Sequence, residues 1–159
     1  GINSRTRGAI EESLFLKNVS IDHLDADELL NMVRVNATSP IQLANVLRPL
    51  LREVDKPIVL NISSWMSSIS IKKDGGNYSY AVSKVALNMM NRAFANDVQA
   101  EGIISVVVNP GWVQTDMGGQ KAALTTEESI HSMIQHVLQR VSKEDGGKFF
   151  NYDGASHPW

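Results

Sequence analysis

Cysteine is absent from this sequence. Disulfides, thiolate metal sites and cysteine nucleophiles are therefore excluded. An excess of either charge is absent too: 15 lysines and arginines face 17 aspartates and glutamates, a formal net of −2. So balanced a chain has no electrostatic reason to bind nucleic acid or an anionic membrane. No apolar run approaches the roughly 18 residues that a membrane-spanning helix needs. The stretch Gly1 to Gly8 is polar, carries Arg5 and Arg7, and has no apolar core of a secretory signal. A soluble, cytoplasmic protein is expected, with neither nucleic acid nor membrane as partner. The histidines are His23, His131, His136 and His157, and only His131 and His136 are close. Five apart, these two do not share a helix face, so no metal site is expected. The pairs Glu11-Glu12 and Glu127-Glu128 read as solvated charge at helix starts.

What remains is ordinary material for a packed core. Hydrophobic residues make up 43% and charged ones 20% of 159 residues, enough for one domain and short for two. After an irregular start and a short apolar patch, Ser13 to Leu16, Asp25 is a candidate N-cap with Asp27 and Glu28 in the first turn. A helical stripe follows from Leu29 to Leu51, interrupted by Pro40 and Pro49. Pro40 predicts a bend just past Asn36, because it has no N–H for the carbonyl four residues back. Ile58-Val59-Leu60-Asn61-Ile62 has the β-branched, apolar character of a strand buried on both faces. A second long helix is predicted from about Ser79 to Gln99, with Gly102 as its stop signal. Ile103 to Val108 reads as a second buried strand, and residues 111–124 as a Gly-rich segment without regular structure. A third helix starts at Thr125, where Thr125 and Glu128 form a capping box, and runs to Val141. Gly146-Gly147 then turns the chain into a short strand around Phe149-Phe150. Three strands alternating with three helices predict an α/β fold built on a parallel sheet.

One stretch carries chemistry. Tyr80 and Lys84 lie four residues apart at the start of the second long helix, hence on one face, one turn apart. An ammonium beside a phenol favours the phenolate and lowers a pKa that starts near 10. Such a phenol can exchange a proton with an alcohol or carbonyl oxygen. In a parallel sheet, ligands bind beyond the carboxyl ends of the strands. Ser63-Ser64, the start of the Tyr80 helix and Asn109-Pro110-Gly111 all fall there.

Together, Asn36, Asn61-Ile62-Ser63-Ser64, Tyr80-x-x-x-Lys84 and Pro110-Gly111-Trp112-Val113-Gln114-Thr115 resemble the short-chain dehydrogenase/reductase family. Asp74-Gly75-Gly76, the run Asp116-Met117-Gly118-Gly119 and the ending Tyr152-Asp153-Gly154 to Pro158-Trp159 resemble its sniffer and C-factor type of carbonyl reductase. The resemblance covers essentially the whole chain. It implies that Tyr80 protonates a carbonyl oxygen, that Lys84 tunes Tyr80 and holds the nicotinamide ribose, and that Ser64 orients the substrate oxygen. The family's usual serine-to-tyrosine spacing, three residues shorter, would pick Ser67; Ser64 is preferred because it follows the strand directly. Asn36 would hold a water in a proton relay behind Lys84. Pro110 and Gly111 would pass close to the nicotinamide, with Val113 and Thr115 on its carboxamide and phosphate, and Gly118 and Gly119 would serve a mobile lid. The implied cofactor is NADP(H), with NAD(H) as the alternative, the implied substrate a small carbonyl compound, and the implied assembly a homodimer.

The family's opening strand and its Thr-Gly-x-x-x-Gly-x-Gly turn, which hold the cofactor pyrophosphate, have no counterpart here. The resemblance therefore reads residues 1–159 as a single partial Rossmann domain. It is the C-terminal, catalytic portion of a doubly wound parallel sheet, lacking about the first four strands. The competing reading is a non-catalytic truncated module that associates with full-length subunits through its long helices.

Overall fold

The computed structural model describes residues 20–159; the apolar patch at 13–16 and the pair Glu11-Glu12 lie outside them. A 3-10 turn, Ile21–His23, leads to helix α1, Ala26–Val33. Asp25 caps it, its carboxylate accepting from the backbone N–H groups of Asp27 at 2.8 Å and Glu28 at 3.0 Å. Two donors that a helix start leaves without partners are thereby satisfied.

The helix does not end at Val33. It widens into a π turn, Arg34–Thr38, and continues as α2, Ser39–Leu51. The bend predicted past Asn36 is thus an extra residue in one turn, not a break. Pro40 accounts for it, since it brings no N–H to the carbonyl four residues back and its ring crowds that carbonyl. The widened spacing lets the Ser39 N–H reach the carbonyl of Arg34, to which the Ser39 hydroxyl also donates at 2.9 Å.

Strands β1, Ile58–Ile62, β2, Ile104–Asn109, and β3, Phe149–Asn151, form one parallel sheet in that order. Helix α3, Tyr78–Val98, connects β1 to β2, and Gly102 ends its last turn at φ 76°, as predicted. Helix α4, Thr126–Met133, connects β2 to β3; Thr125 and Glu128 form the expected capping box. The third predicted helix also contains a π turn, Ile134–Leu138, which nothing in its apolar spacing announces.

Every residue of β2 is buried, and its alternation sorts the core. Ile104, Val106 and Val108 pack with Val137 and Val141 on one face. Val107 packs with Leu87, Ala37 and Phe149 on the other. Helices therefore cover both faces of the sheet, each large apolar side chain so buried contributing about 1.5–3 kcal/mol. Strand β1 departs from the expectation of burial on both faces. Its first three residues are half-buried and Ile62 is 39% exposed. The reason is topological, since among the described residues β1 has a single sheet partner, β2. Along it lies a groove of about 470 Å³, lined mainly by apolar side chains of α2 and β1, with Asn36 and Lys84 also in its wall.

The two long helical spans are tied at their ends. Glu101, in the 3-10 turn after α3, accepts from Arg52 Nε at 2.8 Å and from the guanidinium of Arg48. Hydrogen bonds from Arg52 and Arg48 hold the Glu101 carboxyl down to about 2.

Candidate active site

The site begins where β1 ends. The Ser63 N–H donates to the Val108 carbonyl at 2.7 Å, extending the ladder by one residue. Ser64 then leaves the sheet in extended geometry and caps the 3-10 turn Trp65–Ser67, its hydroxyl accepting from the Met66 N–H at 3.2 Å. That hydroxyl is also hydrogen-bonded to Tyr80. Ser67 points the other way. It is 2% exposed and donates back to the Ser64 carbonyl at 2.5 Å. Of the two serines weighed from the sequence, Ser64 meets the tyrosine.

Helix α3 supplies the facing groups. Gly76 and Asn77 both take left-handed backbone geometry, at φ 83° and 53°, to aim the chain into the helix. Asparagine tolerates that region better than other side chains do. Tyr80 lies in the first turn and Lys84 in the next, with Nζ 5.7 Å from the Tyr80 ring centroid. Lys84 is 3% exposed and donates to the Ile62 carbonyl at 3.0 Å. Burial lowers the lysine to about 8. Burial also pushes the Tyr80 phenol above its ordinary value, opposed by the Ser64 hydrogen bond. The lowering of Tyr80 by Lys84, expected from their spacing, is therefore not the leading effect. Withdrawal from water penalises the phenolate and the ammonium alike, and Tyr80 stands as a neutral phenol at neutral pH.

Asn36 reaches this helix from the π turn. Its Nδ2 donates to Ser83 Oγ at 3.0 Å, and that hydroxyl donates to the Tyr80 carbonyl at 2.7 Å. Asn36 and Lys84 share the groove beside β1, whereas Ser64 and Tyr80 do not line it. The cavity lies behind the Ser64–Tyr80 pair.

Pro110 and Gly111 follow β2 directly. The last residue of that strand, Asn109, gathers the neighbouring segments. Its Oδ1 accepts from the backbone N–H groups of Trp65 at 3.1 Å and Gly111 at 3.3 Å, and its Nδ2 donates to Asn151 at 2.7 Å. Gly111 sits at φ 81°, and a Cβ there would come within 2.7 Å of Leu124 and 3.0 Å of Tyr152. The turn thus requires glycine sterically. Val113 and Thr115 lie further on, in a segment that is not structureless as expected. Val113 bridges Leu124, and the N–H groups of Gln114 and Leu124 donate to the carbonyls of Leu124 and Trp112. The Thr115 hydroxyl accepts from the Gly118 N–H at 3.1 Å, and Trp112 Nε1 donates to the Gly118 carbonyl at 2.9 Å. A Cβ on Gly118 would stand 1.9 Å from the Val113 carbonyl oxygen. Close approach, more than hinge freedom, accounts for that glycine.

The sequence reading missed a buried polar lattice between α3 and the strands. Asn61 Nδ2 and Ser105 Oγ both donate to Asn91 Oδ1, at 2.9 and 2.7 Å. Ser63 donates to Asn88 Oδ1 at 2.6 Å, and Asn88 Nδ2 donates to Ser67 at 2.8 Å. Its signal was available: polar residues interrupt apolar strands at 61 and 105 and the inner helix face at 88 and 91. Among the described residues, no cluster of three potential metal ligands occurs and no helix is long and apolar enough to cross a membrane.

The chain is similar to known proteins over most of its length. A family profile described as enoyl-(acyl carrier protein) reductase matches residues 9–149. The C-signal of Myxococcus xanthus is 36% identical over 140 residues, covering 88% of this chain and 84% of its own. Among solved structures, the carbonyl reductase Sniffer of D. melanogaster superposes with a TM-score of 0.84 at 32% identity, over 94% of this chain and 64% of that one. An NADPH-bound carbonyl reductase from chicken fatty liver gives 0.81 at 31% identity, over 90% and 62%. The fold is therefore part of a Rossmann-type doubly wound sheet. The chain spans most of the C-signal and less than two thirds of either reductase.

Proposed function

Since this chain belongs to the short-chain dehydrogenase/reductase family, we propose that it forms the proton-transfer centre of an oxidoreductase that reduces a small carbonyl compound to an alcohol with NADP(H), or with NAD(H). The hydrogen bond between Ser64 and Tyr80, with Lys84 behind the ring, carries this reading. A phenol that keeps its proton at neutral pH is suited to give it to an oxygen that gains charge. The Ser64 hydroxyl would hold that oxygen and stabilise its charge as it develops. As Tyr80 loses its proton, the Lys84 ammonium would stabilise the phenolate that forms.

The residues present fit the nicotinamide end of such a cofactor. An ammonium carries three donors, and Lys84 spends one on Ile62, leaving two for ribose hydroxyls. Pro110, Gly111, Val113 and Thr115 begin at the carboxyl end of β2, where ligands of parallel sheets bind. When bound, the dinucleotide supplies the hydride. Asn36 would support the first turn of α3 through Ser83.

The test is oxidation of NADPH by the natural-length protein in the presence of a graded set of aldehydes and ketones. Carbonyl-dependent oxidation is expected; its absence across the set would overturn the reading.

Association of subunits is part of the same proposal. Leu43, Val46 and Leu50 form an exposed apolar row on α2, at 51, 72 and 67% exposure, spaced to share a face. Pairing through this row would cover it, and Val46→Glu should shift the sedimentation of a dimer to that of a monomer.

A further inference from the structure

Asn88 is used by none of the steps above, yet it is 3% exposed and spends its carboxamide on the turn that carries Ser64. Its Oδ1 accepts from Ser63 at 2.6 Å and its Nδ2 donates to Ser67 at 2.8 Å. Ser63 and Ser67 also meet each other at 3.1 Å, and Ser67 donates to the Ser64 carbonyl at 2.5 Å. The amide therefore closes a ring of hydrogen bonds around the backbone of one residue, Ser64. Docking α3 to the strands does not need this ring, because Asn91 already joins the helix to Asn61 and Ser105. An apolar side chain would fill the same place without two buried polar partners to satisfy.

We infer that Asn88 is a positioning residue of the Ser64–Tyr80 pair, holding the turn that bears Ser64 against the helix that bears Tyr80. The inference rests on the reading of that pair given above. Tyr80, Lys84 and Asn88 follow at intervals of four on one face of α3. The helix thus sets the serine hydroxyl opposite the phenol as rigidly as it sets the lysine beneath it. Ser64 on a loop without this clasp would be placed by the 3-10 turn alone.

Tyr80 itself can report the effect. Replacing tyrosine by 3-fluorotyrosine makes the phenols more acidic, and fluorine NMR then follows each titration; comparison with Tyr80→Phe assigns the Tyr80 signal. A hydroxyl donating to the phenolate favours it, so loss of the Ser64 bond raises the midpoint. Asn88→Leu is expected to raise it by about half to one pH unit, as Ser64→Ala does. In a Ser64→Ala background, Asn88→Leu should add no further shift. Ser67→Ala, a milder change, should move the midpoint the same way by less, and it decides the matter where Asn88→Leu does not fold. Variants that lose thermal stability while the Tyr80 midpoint stays in place would overturn the inference. The measurement needs neither cofactor nor substrate. A protein that reduces no carbonyl would overturn the reductase reading, while the fluorine titration still decides the role of Asn88.

Discussion

The Nζ of Lys84 donates to the backbone carbonyl of Ile62 at 3.0 Å, fastening the second turn of α3 to the last residue of β1. One side chain thereby does two physical tasks: it satisfies a carbonyl at the end of β1 and keeps a cation beneath the Tyr80 ring. The second task is costly in a buried place, and that cost is measurable.

Lys84 is lowered to about 8 by burial, so between that value and about 10.4 the unfolded chain binds more protons than the native one. Stability must then rise with pH across this window, and below it the penalty is present in full. From pH 8 to pH 10 the gain in unfolding free energy should be roughly 2 kcal/mol. Denaturant titrations at the two pH values measure it, and Lys84→Met should abolish the rise. A rise that persists in Lys84→Met would assign it to another group.

Tyr80→Phe removes the hydroxyl and leaves the ring against Lys84. In the natural-length protein, turnover of a carbonyl substrate is expected to fall by about 10² to 10⁴, with cofactor affinity little changed. Normal turnover in Tyr80→Phe would remove Tyr80 from the chemistry.

Ser64 and Ser67 should separate by the size of their effects. Ser64→Ala deletes the hydroxyl that meets Tyr80 and is expected to lower turnover by about 10² to 10³. Ser67→Ala only loosens the turn, and its effect should stay within about tenfold. The reverse order would place the substrate oxygen on the other side of the 3-10 turn.

Gly118→Ala would put a methyl group 1.9 Å from the Val113 carbonyl oxygen. Relief of such an overlap costs about 1–3 kcal/mol, and it falls on a loop closed by few bonds. Hydrogen exchange at the amides of Gln114 and Leu124, which close that loop, should accelerate roughly tenfold or more. Unchanged protection there would mean that the loop closes independently of the Trp112–Gly118 contact.

Much of the fold was legible because local rules and tertiary packing agree. Asp25, Thr125 with Glu128, and Gly102 mark helix ends through their own side chains or backbone. The six buried residues of β2 read as a strand for the same reason that they are buried. Pro40 announced a disturbance near Asn36 but not its form, since a kink and a π turn relieve the same clash. Tyr80 and Lys84 were visible through their spacing, whereas the balance of burial against charge on Tyr80 depends on what covers it. Asn88 and Asn91 were missed because a polar residue on a helix face reads as solvated until its partners, 14 to 30 residues away, are brought to it. The closure of residues 111–124 is likewise invisible in a run of small and polar side chains, because it rests on backbone bonds.

Helix α3 holds Tyr80, Lys84, Asn88 and Asn91 in one fixed phase, while Val82 and Met89 on its other side are 41 and 69% exposed. Its outer surface can therefore change in composition with little effect, but its length cannot change at all. Deleting one residue after Tyr80 would rotate everything beyond it by about 100°, turning Lys84 and both asparagines away from their partners together. Variation by substitution and variation by insertion meet opposite constraints along the same 21 residues.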